Sequence, residues 1–174
     1  MTRPLRVNVA GGWYHVWSRG VDRKRIFRDD HDRYQLLEVL GRATERYGIV
    51  IHAYVLMSNH YHAIIETPAD NLSKAMQWIS TSYSMWHNRR HGRVGPLFQG
   101  RYGSSLIEDS QWAYELSVYL HLNPVRTAAY GWGRRQRKAE NAGLGRESTT
   151  EEVSRIRKAL REYRWSSYRS YAGY

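Results

Sequence analysis

The sequence predicts an α+β domain: a ferredoxin-like, split βαβ antiparallel sheet with helices on one face, extended by a C-terminal helix and tail. Three observations carry that reading. The apolar pattern runs strand, helix, strand, strand, helix, strand, and then helices, which is the order of the split βαβ unit. Two neighbouring stretches, "IVIHAYVLM" and "YHAIIE", are separated only by "SNH" and read as a hairpin. The chain has 174 residues, 41% of them hydrophobic, which suits one compact domain with a real core.

Each element follows from its own residues. In "WYHVWSRG", Tyr14, Val16 and Ser18 alternate with Trp13, His15 and Trp17, the period of a strand, and Gly20 ends it. In "DDHDRYQLLEVLGRATERYG", Asp29 or Asp30 caps a helix whose Tyr34, Leu37, Leu40 and Ala43 or Thr44 recur at helical spacing, and Gly48 stops it. Ile49–Met57 is β-branched and apolar, hence a strand. Pro68 and Asp70 open a second long helix with Leu72, Met76, Ile79 and Tyr83 on its apolar face. A fourth strand is expected from Tyr102 to Ile107. "SQWAYELSVYLHLNPVR" is helical as far as its Asn-Pro step. Residues 131–150, rich in Gly, Arg, Lys, Asn and Ser, read as a flexible basic linker. Thr149 or Thr150 caps a last helix, and "RWSSYRSYAGY" closes the chain. The plan is therefore a main domain over 1–130, the linker over 131–150, and a helix and tail over 151–174 that pack on the same domain.

Charge narrows the partners. Lys and Arg number 27 against 16 Asp and Glu, a net charge of +11. Such an excess favours polyanions, because each neutralised phosphate releases counterions. Seven Trp and 14 Tyr accompany it, and a cationic groove with flat rings is how single-stranded nucleic acid is held. There is no cysteine, which excludes disulfides, thiolate zinc sites and cysteine nucleophiles. No apolar run reaches the roughly 18 residues of a membrane span, so no membrane association is expected.

Two constellations carry chemistry. "MSNHYHAIIE" places His60 and His62 on one face of a strand, where both imidazoles can converge on one divalent ion. Taken alone, the same spacing also describes two polar strand residues. His52 could neighbour the pair, but nothing in the sequence fixes its face. "YELSVYLHLNPVR" puts Tyr119 and Asn123 four residues apart on one helical face. A tyrosine hydroxyl can act as a covalent nucleophile and an Asn oxygen as a hard ligand for Mg or Mn. The plainer alternative is a core aromatic followed by an Asn-Pro helix stop. Pro124 disfavours helical backbone at Asn123, so Asn123 is expected to cap a following turn. Tyr114 and Tyr130 lack an Asn partner at that spacing. His87 and His121 read as surface or groove positions rather than ligands.

"YVLMSNHYHAIIET" followed about 50 residues later by "YLHLNPVR", with "WYHVWSRGVDRKRIF" before and "YRWSSYRSY" after, resembles the single-tyrosine HUH transposases. The closest likeness is to the REP-associated tyrosine transposases, relatives of the small insertion-sequence transposases. The motifs occur in the family's order over nearly the whole chain. The resemblance implies that His60 and His62 are the HUH metal ligands, Asn123 the third ligand, and Tyr119 the nucleophile. Tyr61 stands at the middle HUH position, a mild departure. The implied activity of residues 1–130 is that of a metal-dependent endonuclease and strand transferase acting on single-stranded DNA at hairpin-forming repeats. Tyr119 would attack phosphorus and displace a 3′-hydroxyl, leaving a 5′-phosphotyrosine. A tyrosine ionises near pH 10, so the metal, Mg or Mn, or a nearby cation has to assist. Glu115 is a candidate base or outer partner, and a solvated helix charge otherwise. Implied further are a cytoplasmic, nucleoid-associated location and a monomer with its tyrosine in cis. A dimer exchanging tyrosine helices is the insertion-sequence alternative.

Candidate phosphate contacts are Arg89, Arg90 and Arg93 near the end of the second helix, Arg101 after it, and the loop cluster Arg19, Arg23, Lys24 and Arg25. Arg134, Arg135, Arg137 and Lys138 of the linker are expected to order on DNA. Trp165, Tyr168 and Tyr171 either stack on bases or, more simply, pack the tail onto the domain. Two rival functions remain at this stage: a non-catalytic hairpin binder on the same fold, and a metal-dependent RNA-processing enzyme.

Overall fold

A computed structural model of the chain describes residues 8–127, 130 and 148–174. The four linker cations Arg134, Arg135, Arg137 and Lys138 lie outside these residues. Four strands, β1 (Gly12–Arg19), β2 (Val50–Met57), β3 (His60–Thr67) and β4 (Gly103–Ile107), form one antiparallel sheet in the order β2-β3-β1-β4. This is the ferredoxin-like arrangement that the sequence predicts. The helices are α1 (Asp30–Tyr47), α2 (Leu72–Arg90), α3 (Ser110–Leu122), α4 (Thr150–Glu162) and the short α5 (Tyr168–Tyr171).

Alternation decides which face each strand residue serves. Tyr14 and Val16 of β1 and Tyr61, Ala63 and Ile65 of β3 point to one side. There they meet Leu36, Val39, Leu40 and Ala43 of α1 and Leu72, Ala75, Met76, Ile79 and Tyr83 of α2. The expected apolar face of α2 is thus buried in full. That of α1 is rotated: Tyr34 is exposed, while Leu36 and Val39 are buried. The reason is long-range. Tyr34 stacks edge-on against Trp165 of the tail, ring centroids 5.0 Å apart, instead of facing the sheet. Helix α1 starts where Asp29 accepts the Asp32 N–H at 3.1 Å and ends at Gly48, whose φ of 64° suits glycine.

The two crossover helices lie on that first face. Helix α3 lies across part of the other, where Leu116 and Leu120 pack on Ala53, Val55, Ile64 and Ile107. Asp109 caps α3 by accepting the Trp112 N–H at 2.7 Å. Its far end tightens into a 3-10 turn, Asn123–Val125, with the Asn123 N–H donating to the Leu120 carbonyl. Proline has no N–H to continue the helix, yet Asn123 keeps helical backbone (φ −50°, ψ −43°), so the expected departure from that region does not occur. Helix α4 opens on a capping box made by Thr149 and Glu152.

The tail packs back on the domain. The Leu56 N–H donates to the Trp165 carbonyl at 2.8 Å, the Ser167 N–H to the Tyr54 carbonyl at 3.0 Å, and the Tyr163 hydroxyl to the Leu56 carbonyl at 2.7 Å. The edge of β2 is therefore covered, which removes an open template for pairing with another chain.

Candidate active site

The uncovered end of the α3 face holds the site. His60 and His62 sit on β3 beside the C-terminal half of α3, on the same sheet face as His15, Trp17 and Arg19 of β1. Their rings stand perpendicular, with centroids 5.1 Å apart. From α3 the Tyr119 ring meets His62 edge-on at 6.4 Å. Tyr119 is 37% exposed, so its phenol is open to a ligand. The structure thus brings His60, His62 and Tyr119 together. Asn123 sits one turn beyond Tyr119, where its Nδ2 donates to the Tyr119 carbonyl at 3.1 Å, so that its own oxygen takes no part in that bond.

Each imidazole is oriented by a neighbour that the sequence did not single out. Asn59 donates from Nδ2 to the Arg23 carbonyl at 2.9 Å, which turns its oxygen toward His60 Nδ1, 2.7 Å away. An acceptor at that place requires the His60 proton on Nδ1 and leaves the Nε2 lone pair free. His62 Nδ1 lies 2.9 Å from His15 Nε2, and when His62 donates there its Nε2 is free as well. Burial, with Arg19 nearby, holds His60 below the usual imidazole range. Burial, with His15, His60 and Arg19 adding to it, pushes His62 down to about 3, and burial alone takes His15 to about 4. At neutral pH all three rings are uncharged, the form in which imidazole ligates a metal. Two neutral rings on one face, each with its Nδ1 occupied, fit a divalent ion.

Arg126, the last residue of "LNPVR", lays its guanidinium over the Tyr119 ring, 4.7 Å from the centroid. The turn that returns past Tyr119 sets this cation beside the phenol, two residues beyond the proline, and the sequence alone did not single it out. Trp17 is 37% exposed and stands 4.9 Å from His15, with its indole lying on the β4 backbone at Gly103. A Cβ at Gly103 would come within 2.2 Å of that indole, so glycine is required for the approach.

Other expectations resolve as follows. His52, on β2, lies beside the far end of β3 from the pair, 2.9 Å from Glu66 and stacked on Trp13 at 3.7 Å. Glu115 is exposed and accepts from Gln111 Nε2 at 2.8 Å. Tyr114 is exposed. His121 is not a surface residue: it is buried under the tail, its Nε2 2.8 Å from Ser167 Oγ. His87 is buried too, between α1 and α2. Both readings failed because their covers come from distant sequence. Among the described residues, Asp32, His87 and His91 form a group whose ligand atoms all lie within 4.8 Å of one another, compatible with a divalent metal.

The expected cations divide. Arg19, Arg23, Lys24, Arg25, Arg89 and Arg101 are exposed and Arg93 is half-buried. Arg23 and its neighbour Asp22 adopt left-handed backbone, φ 57° and 53°, in the loop that Asn59 anchors. Arg90 binds Asp29 through both nitrogens, at 2.7 and 2.8 Å, and also Asp32.

The ferredoxin-like sheet thus carries two imidazoles on β3 beside a phenol on α3. The chain belongs to the IS200-like transposase family, whose model matches residues 8–122, and so to a family of DNA-processing enzymes. Among solved structures, a REP-associated tyrosine transposase bound to a REP hairpin is similar over 84% of this chain and 89% of that one, with 18% identity and a TM-score of 0.62. That likeness establishes a shared fold. A chain from Deinococcus radiodurans R1 matches more weakly, with 13% identity over 68% of this chain and 94% of that one and a TM-score of 0.47. No curated protein sequence matches significantly. No helix among the described residues is long and apolar enough to cross a membrane.

Proposed function

We propose that this transposase cuts and rejoins single-stranded DNA at hairpin-forming repeats through a covalent bond to Tyr119. The observation that carries the reading is the approach of Tyr119, from α3, to His62, from β3, within one chain. It supports a tyrosine acting in cis and a monomer as the working unit. A divalent ion, Mg or Mn, held by His60, His62 and Asn123 would supply polarisation of the scissile phosphate. Asn59 and His15 hold the two rings in the ligating tautomer. The Tyr119 oxygen attacks phosphorus, its proton passes to solvent, and the P–O3′ bond breaks to release a 3′-hydroxyl. The phosphodiester energy is kept in the 5′-phosphotyrosine, so a later 3′-hydroxyl restores the strand and frees Tyr119 without ATP. Arg126 places positive charge beside the phenol as negative charge develops there.

DNA would lie across the end of the sheet at Arg19 and His60, next to the loop after α2 that pairs with Gly20. Arg19, Arg23, Lys24, Arg25, Arg89, Arg93 and Arg101 are the proposed phosphate contacts. Arg90, held by two carboxylates, is left to the protein's own structure. Trp17 offers a ring for a base next to the scissile position. The neighbour's REP hairpin supports a hairpin as substrate, and action on such DNA would be at the nucleoid, in the cytoplasm.

The test is incubation of the full chain with end-labelled hairpin DNA and Mn, followed by denaturing electrophoresis. A protein–DNA adduct that disappears in Tyr119→Phe is expected. Tight hairpin binding with neither adduct nor cleavage would favour the non-catalytic binder, and cutting of RNA alone the RNA-processing reading.

A further inference from the structure

Asp32 opens α1, while His87 and His91 lie one turn apart at the end of α2, on the sheet face opposite His60 and His62. Asp32 is fully buried and His87 is 1% exposed. His91 Nε2 stands 2.8 and 3.0 Å from the two Asp32 oxygens, and His87 Nε2 stands 3.8 Å from Asp32 Oδ2. That last distance is too long for a hydrogen bond. Neither ring nitrogen of His87 has a hydrogen-bond partner. A buried imidazole left so beside a carboxylate is costly unless something is meant to sit between them.

A cation accounts for the spacing. Two ligand atoms each about 2.0–2.1 Å from a tetrahedral zinc ion lie roughly 3.3 Å apart. The Asp32-to-imidazole separations, 2.8 and 3.8 Å, lie either side of that value, and the ligand atoms of all three residues lie within 4.8 Å of one another. The charge state suits a metal as well. The Arg28 N–H and the Arg90 guanidinium both donate to Asp32, contacts that favour its carboxylate form. Arg90 Nη1 touches Asp32 Oδ1 and lies 3.5 Å from His91 Nε2, so a metal would displace it from both, while it keeps both oxygens of Asp29. Two imidazoles and one carboxylate select a zinc-class ion over Mg or Ca, which prefer all-oxygen shells.

We propose that Asp32, His87 and His91 form a second metal site, of the zinc class with water as the fourth ligand, that clamps the first turn of α1 to the last turn of α2. Its consequence reaches the DNA surface, since Arg89 and Arg93 flank the clamped end of α2. The proposal does not depend on the chemistry at Tyr119.

The test uses the full chain carrying His60→Ala and His62→Ala, which removes the competing imidazole pair, after chelator treatment. Titration with Co should give one equivalent of tight binding with the visible bands of a tetrahedral ion, displaced by Zn and untouched by excess Mg. His91→Gln or His87→Phe in that background should weaken uptake at least tenfold. Zn at about a hundredfold over its dissociation constant should raise the melting temperature by roughly 5–10 °C, and His87→Phe should abolish that rise. His87→Phe keeps the volume without a ligand, so its metal-free melting should match or exceed that of its parent. Absence of Co uptake, or uptake that both substitutions leave unchanged, would overturn the site.

Discussion

Asn59 offers the sharpest perturbation of the proposed metal site, because one side chain sets the tautomer of a ligand it does not share. Its oxygen accepts a hydrogen bond from His60 Nδ1–H at 2.7 Å and its amide nitrogen donates to the Arg23 carbonyl at 2.9 Å. Asn59→Ala removes both contacts but keeps the main-chain bond from the Gly20 N–H to the residue-59 carbonyl. His60 is then free to rotate or to carry its proton on Nε2. Loss of such an outer partner costs about 10–100-fold in metal affinity, roughly 1.4–2.8 kcal/mol. Asn59→Asp separates the two roles. A carboxylate still accepts from His60 Nδ1, so affinity should hold within about threefold, an order-of-magnitude figure for an outer partner that is retained. The Arg23 carbonyl, however, now faces an acceptor and the basic loop should loosen. Calorimetric titration with Mn measures the first effect, and proteolysis within Arg23–Arg25 the second. An Asn59→Ala protein that binds Mn as tightly as the parent would refute the reasoning.

Three further expectations follow from other parts of the molecule. Trp17→Ala, in a Tyr119→Phe background that cannot react, should weaken single-strand binding by about 1–3 kcal/mol in fluorescence anisotropy, and an unchanged affinity would remove Trp17 from the DNA path. Trp165→Ala empties the pocket between α1 and the β2 edge and should cost about 3–5 kcal/mol in urea unfolding, with a cost under about 1 showing that the tail is loosely held. Burial lowers the pKa of His121 below the usual imidazole value. The unfolded chain therefore binds a proton there first as pH falls, so this stability is present above about pH 6.5 and declines below it. His121→Gln should flatten the fall in unfolding free energy between pH 7 and 5, and an unchanged slope would contradict that assignment.

The sequence made the local half of this structure legible. Alternation along Trp13–Ser18 and the helical stripe Leu72–Tyr83 predicted elements whose buried faces are those observed. Asp29 and Thr149 announced their caps. The spacing of His60 and His62, and of Tyr119 and Asn123, left plainer readings open, and it was the family resemblance that joined the four into one candidate site. What stayed hidden is set by pairing between distant segments. His15 was visibly on the Trp13–Trp17 face, but only the β1–β3 register puts it opposite Ile64 and within reach of His62. Asn59 read as a turn residue because its partner, the Arg23 carbonyl, is 36 residues away. Tyr34 was given to the core because nothing local foretells that Trp165 comes to meet it. His87 and His121 were taken for surface residues for the same reason, their neighbours Asp32 and Ser167 lying far along the chain.

The account stands on one phenol reaching a nucleotide linkage beside two imidazoles. Mass spectrometry of the digested product, after reaction with hairpin DNA and Mn, locates the modified residue directly. The expected result is nucleotide mass on the peptide that holds Tyr119, and none when His60 and His62 are replaced by alanine. Nucleotide attached at Tyr114 or Tyr130, or strands cut with no peptide modified, would contradict it.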